Sequence, residues 1–146
     1  KHLLILGKNK DEQAKEAVIF FLKTIDCYLL PQADELLKKI KFGNRLTMMS
    51  RGDKQWQRAK FDHLKINKYF KAEDIIYVSD DKIKHLDSLG LSDEKIIIVN
   101  DNAREGLAMW ENLKNSQLYI MDGPYSRNIE HQEKIYTLKE LSQLFI

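Results

Sequence analysis

Cysteine is nearly absent from this chain. Cys27 is the only one in 146 residues, so no internal disulfide can form and packing must hold the fold. Its setting, Ile25-Asp26-Cys27-Tyr28-Leu29, has no histidine to lower a thiol pKa, and the expected role is a semi-buried structural one. Two prolines and six glycines are too few for a collagen-like or low-complexity chain. No apolar run reaches the roughly 18 residues of a membrane span, and no charged-then-apolar leader is seen, so a reducing cytoplasm is the expected setting. An excess of one charge is missing too. With 24 basic against 22 acidic residues the net charge is +2, which gives no electrostatic case for nucleic acid or a membrane surface as partner. His2, His63, His85 and His131 lack the His-x-x-x-His spacing of a zinc site and are expected at the surface.

What is present reads as an ordinary globular domain, 43% hydrophobic and 32% charged, with no internal repeat or long linker. Ala14, Ala17, Val18, Phe21 and Leu22 recur at helical spacing and predict an amphipathic helix over Asp11 to Ile25. Pro31 suits the first turn of a second helix that ends at Gly43. From there strands and helices alternate. Strands are predicted at Arg45 to Ser50, Ile75 to Val78, Lys95 to Val99 and Gln117 to Met121. Helices are predicted at Lys54 to Leu64, Lys82 to Leu89, after Asn102, and after the capping box Thr137-Leu-Lys-Glu140. Trp56 and Trp110 fall at helical positions among apolar neighbours, as packing residues do. Such alternation with mostly apolar strands predicts an α/β fold, a parallel Rossmann-like sheet with helices on both faces.

In open α/β sheets ligands bind beyond the carboxyl ends of the strands. Three such ends stand out: Ser50-Arg51-Gly52-Asp53, Ser79-Asp80-Asp81-Lys82 and Asn100-Asp101-Asn102-Ala103-Arg104-Glu105. A hydroxyl beside a glycine presents itself and nearby amides to a phosphate oxygen, a lysine neutralises its charge, and acids hold Mg²⁺. Each end also has a plainer reading. Ser50 and Gly52 suit a turn, Asp80 or Asp81 a helix cap, and Asp101 or Asn102 another cap. For Asp80 the cap is preferred; it is the series of ends that points to phosphate.

From Leu29 to the C-terminus, this order of motifs resembles the haloacid-dehalogenase-like (HAD) hydrolases, which mostly cleave phosphate esters through an aspartyl-phosphate. Leu46-Thr-Met-Met-Ser50-Arg-Gly52 is similar to the family's second motif, which implies phosphate binding by Ser50, Arg51 and Gly52. Asp81-Lys82 is similar to the third motif, which implies a catalytic Lys82, with Lys84 the second choice. Ile96-Ile-Ile-Val-Asn100-Asp101 is similar to the fourth, which implies metal binding by Asp101, with Glu105 as a second acid. Asn100 stands where that motif usually has glycine.

The first motif, Asp-x-Asp after an apolar strand, supplies the family's nucleophile and is absent. Leu3-Leu-Ile-Leu6 is followed by Gly7-Lys8-Asn9-Lys10, none of which can do an aspartate's work. Two explanations stay open. Residues 1–28 are the remnant of a helical cap before a core of residues 29–146, with the nucleophile strand in a missing N-terminal segment of the same protein. Alternatively, Leu3 to Leu6 is the central strand with its catalytic residues lost. The first implies a Mg²⁺-dependent phosphatase of a small phosphorylated metabolite, inactive as this chain alone. The second implies a non-catalytic phosphate-binding or protein-interaction module. A two-component receiver shares the alternation, but Ser50-x-Gly52 and the late Asn100-Asp101 fit it poorly.

Overall fold

The computed structural model describes residues 10–91, 94–127 and 135–145. Leu3 to Leu6, Gly7, Asn9, His2 and His131 lie outside the described residues. The described chain is mixed α/β, with two small parallel sheets. Helices α1 (Lys10–Lys23) and α2 (Ala33–Ile40) precede strand β1 (Met48–Arg51), helix α3 (Lys54–His63) and strand β2 (Ile75–Val78). Strand β3 (Ile96–Asn100), helix α4 (Ala103–Asn112), strands β4 (Ser116–Met121) and β5 (Ile135–Tyr136) and helix α5 (Leu138–Leu144) follow. β1 pairs with β2, and β3 with β4 and then β5, all in parallel. Among the described residues no helix is long and apolar enough to cross a membrane.

Helices pack on both faces of the three-stranded sheet, leaving Ile97 and Val99 exposed on one of them. On one side Gly106 of α4 lets the helix approach: an added Cβ there would lie 3.1 Å from Leu118 and 3.3 Å from Asn100. On the other side Tyr119 and Met121 pack with Leu36 of α2 and Leu141 of α5, flanked by Tyr136 and Phe145. Burying side chains of this size stabilises by about 1.5–3 kcal/mol each, so this cluster is the main anchor of α2 and α5. The capping box at Thr137 forms as its sequence predicts, with the Glu140 amide donating to Thr137 Oγ1 at 3.2 Å.

Several expectations shift. The apolar stripe of α1 is only partly covered: Ala17 and Val18 are exposed, while Ala14, Phe21 and Leu22 are half-buried. Phe21 packs with its ring 5.5 Å from Tyr28 and 5.8 Å from Trp56, and Ile19 and Phe20 off the stripe are exposed. The run Val18-Ile-Phe-Phe-Leu22 spreads apolar groups around the helix, and only one face meets α3. α2 starts at Ala33, after Gln32 at φ 73°, and Pro31 sits in the turn before it. β1 begins at Met48 and not Arg45, because its partner strand begins at Ile75, while Arg45 pairs with Asp74 at 2.7 Å. Between Lys82 and Leu89 there are two short 3-10 helices in place of one α-helix. β5 has no counterpart in the sequence reading, since two residues carry too little periodicity. Cys27 is exposed, not semi-buried, because its 3-10 turn buries Ile25. Trp56 and Trp110 are half-exposed; Trp110 Nε1 donates to the Ser116 carbonyl at 3.2 Å. Of the histidines described, His63 is exposed and His85 partly covered.

Candidate functional site

Lys82 and Glu105 form the centre of the cluster. The Lys82 ammonium donates to Glu105 Oε2 at 2.8 Å, with only 15% and 11% of the two side chains exposed. The sequence places Lys82 just after the β2 end, where Asp81 caps the turn by accepting from the Ile83 amide at 3.1 Å. Glu105 sits in the first turn of α4, which Asn102 caps by accepting from the Glu105 amide at 3.1 Å. Asn100, at the end of β3, fixes both. Its Nδ2 donates to Glu105 Oε2 at 3.2 Å and its Oδ1 accepts from the Asn102 amide at 2.9 Å. Asn100 is not among the residues with positive φ, so the backbone does not need glycine here.

The electrostatics follow from these contacts. Burial alone would push the Glu105 carboxyl up, but hydrogen bonds from Lys82 and Asn100 and the charges of Lys82 and Arg51 hold it below the usual value. Arg51 approaches Glu105 Oε1 at 3.9 Å with its side chain half-exposed. Two cations therefore share one carboxylate.

Ser50 and Gly52 flank Arg51 at the end of β1. Ser50 is half-buried, and its hydroxyl makes no hydrogen bond among the described residues. Gly52 adopts φ 138°, its amide donates to the Val78 carbonyl at 2.9 Å, and an added Cβ would lie 2.7 Å from Gln57 Nε2. Gln57 in turn donates to the Arg51 carbonyl at 3.2 Å, which pins the loop. Asp53 caps α3 by accepting from the Trp56 amide at 2.8 Å.

The remaining predicted residues divide. Asp101 is exposed, without a hydrogen bond among the described residues, and its Cβ lies 3.5 Å from where a Cβ on Gly123 would be. Among the described residues no group of three or more His, Cys, Asp or Glu comes together as a metal cluster. Glu105, expected beside Asp101 as a second acid, is engaged by Lys82. Asp80 does not cap the helix, as Asp81 does; it pairs with His85 at 2.6 Å and with Lys84 at 3.6 Å. Lys84 thus turns outward and Lys82 inward.

A cleft of about 320 Å³ opens beside the cluster, lined by Thr47, Met49, Lys82, Ile97, Val99 and Asp101 among others. The carboxyl ends of β1, β2 and β3 meet at one side of it through Arg51, Lys82 and Asn100. Sequence reasoning missed Asn100 as a linking residue, Gln57 as a loop tie and Gly123 as the neighbour of Asp101. The run Asn100-Asp101-Asn102 carried a usable signal, because a strand-end asparagine followed by a cap residue often bonds to the backbone two residues on.

No family model, curated protein or solved structure matches this chain.

Proposed function

We propose that this chain is the phosphate- and Mg²⁺-binding portion of a HAD-like phosphatase that acts on a small phosphorylated metabolite. The single observation that carries this reading is the meeting of Arg51, Lys82, Asn100 and Glu105 where three strand ends converge. In this reading the two sheets are halves of one Rossmann-like sheet. Ser50 Oγ donates to a phosphate oxygen, Arg51 and Lys82 neutralise its charge, and Asp101 helps hold Mg²⁺ against the phosphate. Glu105 then acts by orienting Lys82, since the two are already joined. α1 belongs to a cap, which suits its exposed apolar residues.

The chain as it stands is expected to bind phosphate without hydrolysing esters. An aspartyl-phosphate route requires a carboxylate nucleophile from an Asp-x-Asp segment outside these residues. A second reading, a non-catalytic phosphate-binding module, is favoured by the Lys82–Glu105 contact, which leaves the lysine partly neutralised.

Calorimetric titration with inorganic phosphate, with and without MgCl₂, tests the common part of both readings. Saturable binding that Lys82→Met abolishes supports them; no saturable binding would sink both. A p-nitrophenyl phosphate assay on a polypeptide that includes an upstream Asp-x-Asp separates the two. Mg²⁺-dependent turnover supports the phosphatase, and its absence the module.

A further inference from the structure

The net charge of +2 hides an uneven spread. No acidic residue lies between Glu35 and Asp53, and in that stretch Lys38, Lys39 and Lys41 crowd the last turn of α2, with Arg45 beyond them. Arg45 is taken up by Asp74, but Lys38 and Lys39 are exposed and hold no ion pair among the described residues. Cations at a helix C-terminus are favoured by the helix dipole, and that alone would account for the lysines. It does not account for Phe42. That side chain, next in the chain after Lys41, is 91% exposed, more than any other large apolar side chain described.

Phe42 does not sit on a loose loop. The Lys41 amide donates to the Leu37 carbonyl at 3.0 Å and the Phe42 amide to the Lys39 carbonyl at 3.3 Å. Gly43 turns the chain at φ 76°, and Asn44 Nδ2 reaches back to the Ile40 carbonyl at 2.8 Å and the Phe42 carbonyl at 3.2 Å. Behind the turn, Leu36 packs with Tyr119, Met121 and Leu141, and Ile40 lies against that cluster. The inner face of α2 is anchored, and its end holds a phenyl ring in water. Because the Ile40 and Phe42 carbonyls are bonded within the turn, moving it into a less polar layer does not strand them.

The 3-10 turn Lys65–Tyr69 lies alongside. Lys41 Nζ donates to the Lys68 carbonyl at 3.0 Å, and the Lys41 and Lys68 ammonium groups stand 5.8 Å and 4.9 Å from the centre of the Tyr69 ring. Asp34 accepts from the Tyr69 hydroxyl at 3.0 Å and pairs with Lys68 at 3.2 Å. Tyr69 is therefore engaged, and Phe42 stands as a single ring beside three lysines. A nucleic-acid strand needs successive stacking rings along a basic groove. One apolar wedge set among lysines matches instead the surface of an anionic bilayer, where the ring enters the acyl boundary and the lysines meet the headgroups.

We propose that residues 38–44 dock this chain on an anionic lipid bilayer, with Phe42 inserted and Lys38, Lys39 and Lys41 against the lipid headgroups. None of these residues belongs to the Lys82–Glu105 cluster, so the proposal stands apart from the phosphatase reading.

The test is sedimentation of the whole chain with vesicles of phosphatidylcholine, with and without one-third phosphatidylserine. Binding is expected to the anionic vesicles and not to the neutral ones, with release as NaCl rises from about 0.1 M to about 0.5 M. Phe42→Ala should weaken it about tenfold, since the ring leaves water only in part. Lys38→Glu combined with Lys39→Glu should weaken it by about tenfold or more. Urea midpoints of both variants should match the parent, because the three side chains are exposed. In Phe42→Trp, brominated acyl chains should quench emission beyond the background that Trp56 and Trp110 set in the parent.

No binding to anionic vesicles overturns the proposal, as does binding that neither salt nor the two lysine changes reduce. Binding that Phe42→Ala leaves unchanged, with no added quenching in Phe42→Trp, overturns the insertion and with it the proposal. A single-stranded oligonucleotide bound in place of vesicles, and lost in Phe42→Ala, would make the turn a nucleic-acid contact and overturn the lipid one.

Discussion

Lys82 and Glu105 touch at 2.8 Å although they belong to different halves of the described chain. Lys82 follows β2 of the two-stranded sheet and Glu105 opens α4 behind β3. No strand pairing joins those two sheets among the described residues, and this largely buried ion pair is a polar tie between the segments that carry them. The same contact aims a lysine at the convergence of three strand ends. Stability and site geometry are therefore coupled here.

Removing the lysine should be costly. Lys82→Met leaves the Glu105 carboxylate largely buried with only Asn100 close by and Arg51 at 3.9 Å. The expected destabilisation is about 2–4 kcal/mol, read from urea unfolding. Glu105→Gln keeps an acceptor oxygen for Lys82 and should cost less, about 1–2 kcal/mol. Equal midpoints for Lys82→Met and the parent chain would contradict this account of the pair.

Acid should weaken the same pair. The Glu105 carboxyl is held below its usual value of 4.5 in the folded chain. Its contribution is thus complete above that value and is lost as pH falls through the lower folded one. The stability difference between the parent and Glu105→Gln should shrink as pH drops from about 6 to about 3. A difference independent of pH would refute the shift.

Gly52→Ala should strain the loop that presents Ser50 and Arg51. At φ 138° an alanine is disfavoured, and its Cβ would press on Gln57 Nε2 at 2.7 Å. A loss of about 1–2 kcal/mol in thermal unfolding is expected, with weaker phosphate binding alongside. Truncating Gln57 to alanine should relieve the contact but not the backbone strain, so the double variant should recover only part of the loss.

Ser50→Ala should spare folding, because the hydroxyl has no hydrogen bond among the described residues to lose. Phosphate affinity should fall roughly tenfold or more, the usual worth of one hydrogen bond to a charged group. Unchanged affinity in calorimetry would remove Ser50 from the site.

Asp101→Ala should likewise leave stability intact, since the side chain is exposed and makes no hydrogen bond among the described residues. Mg²⁺ binding in the presence of phosphate should weaken. If the Mg²⁺ isotherm does not move, Asp101 is not a metal residue.

Local signals carried much of the fold. The capping box at Thr137 and the strand Ile75–Val78 lie where the residues alone put them. What failed depended on tertiary partners. The start of β1 is set by where β2 begins, and the exposure of α1 by which of its faces meets α3, and neither is visible in one segment's periodicity. At the site, the strand-end positions of Ser50, Lys82 and Asp101 were legible because ligands gather past strand ends. The pairing of Glu105 with Lys82 was not, because the two are far apart in sequence and meet only when the strand ends converge.

The most direct measurement is a calorimetric titration of the chain with inorganic phosphate in MgCl₂, repeated on Lys82→Met, Ser50→Ala and Asp101→Ala. Saturable binding in the parent, lost in Lys82→Met and weakened in the other two, is the predicted result. Binding that is absent, or identical in all four proteins, would contradict a phosphate site at these strand ends.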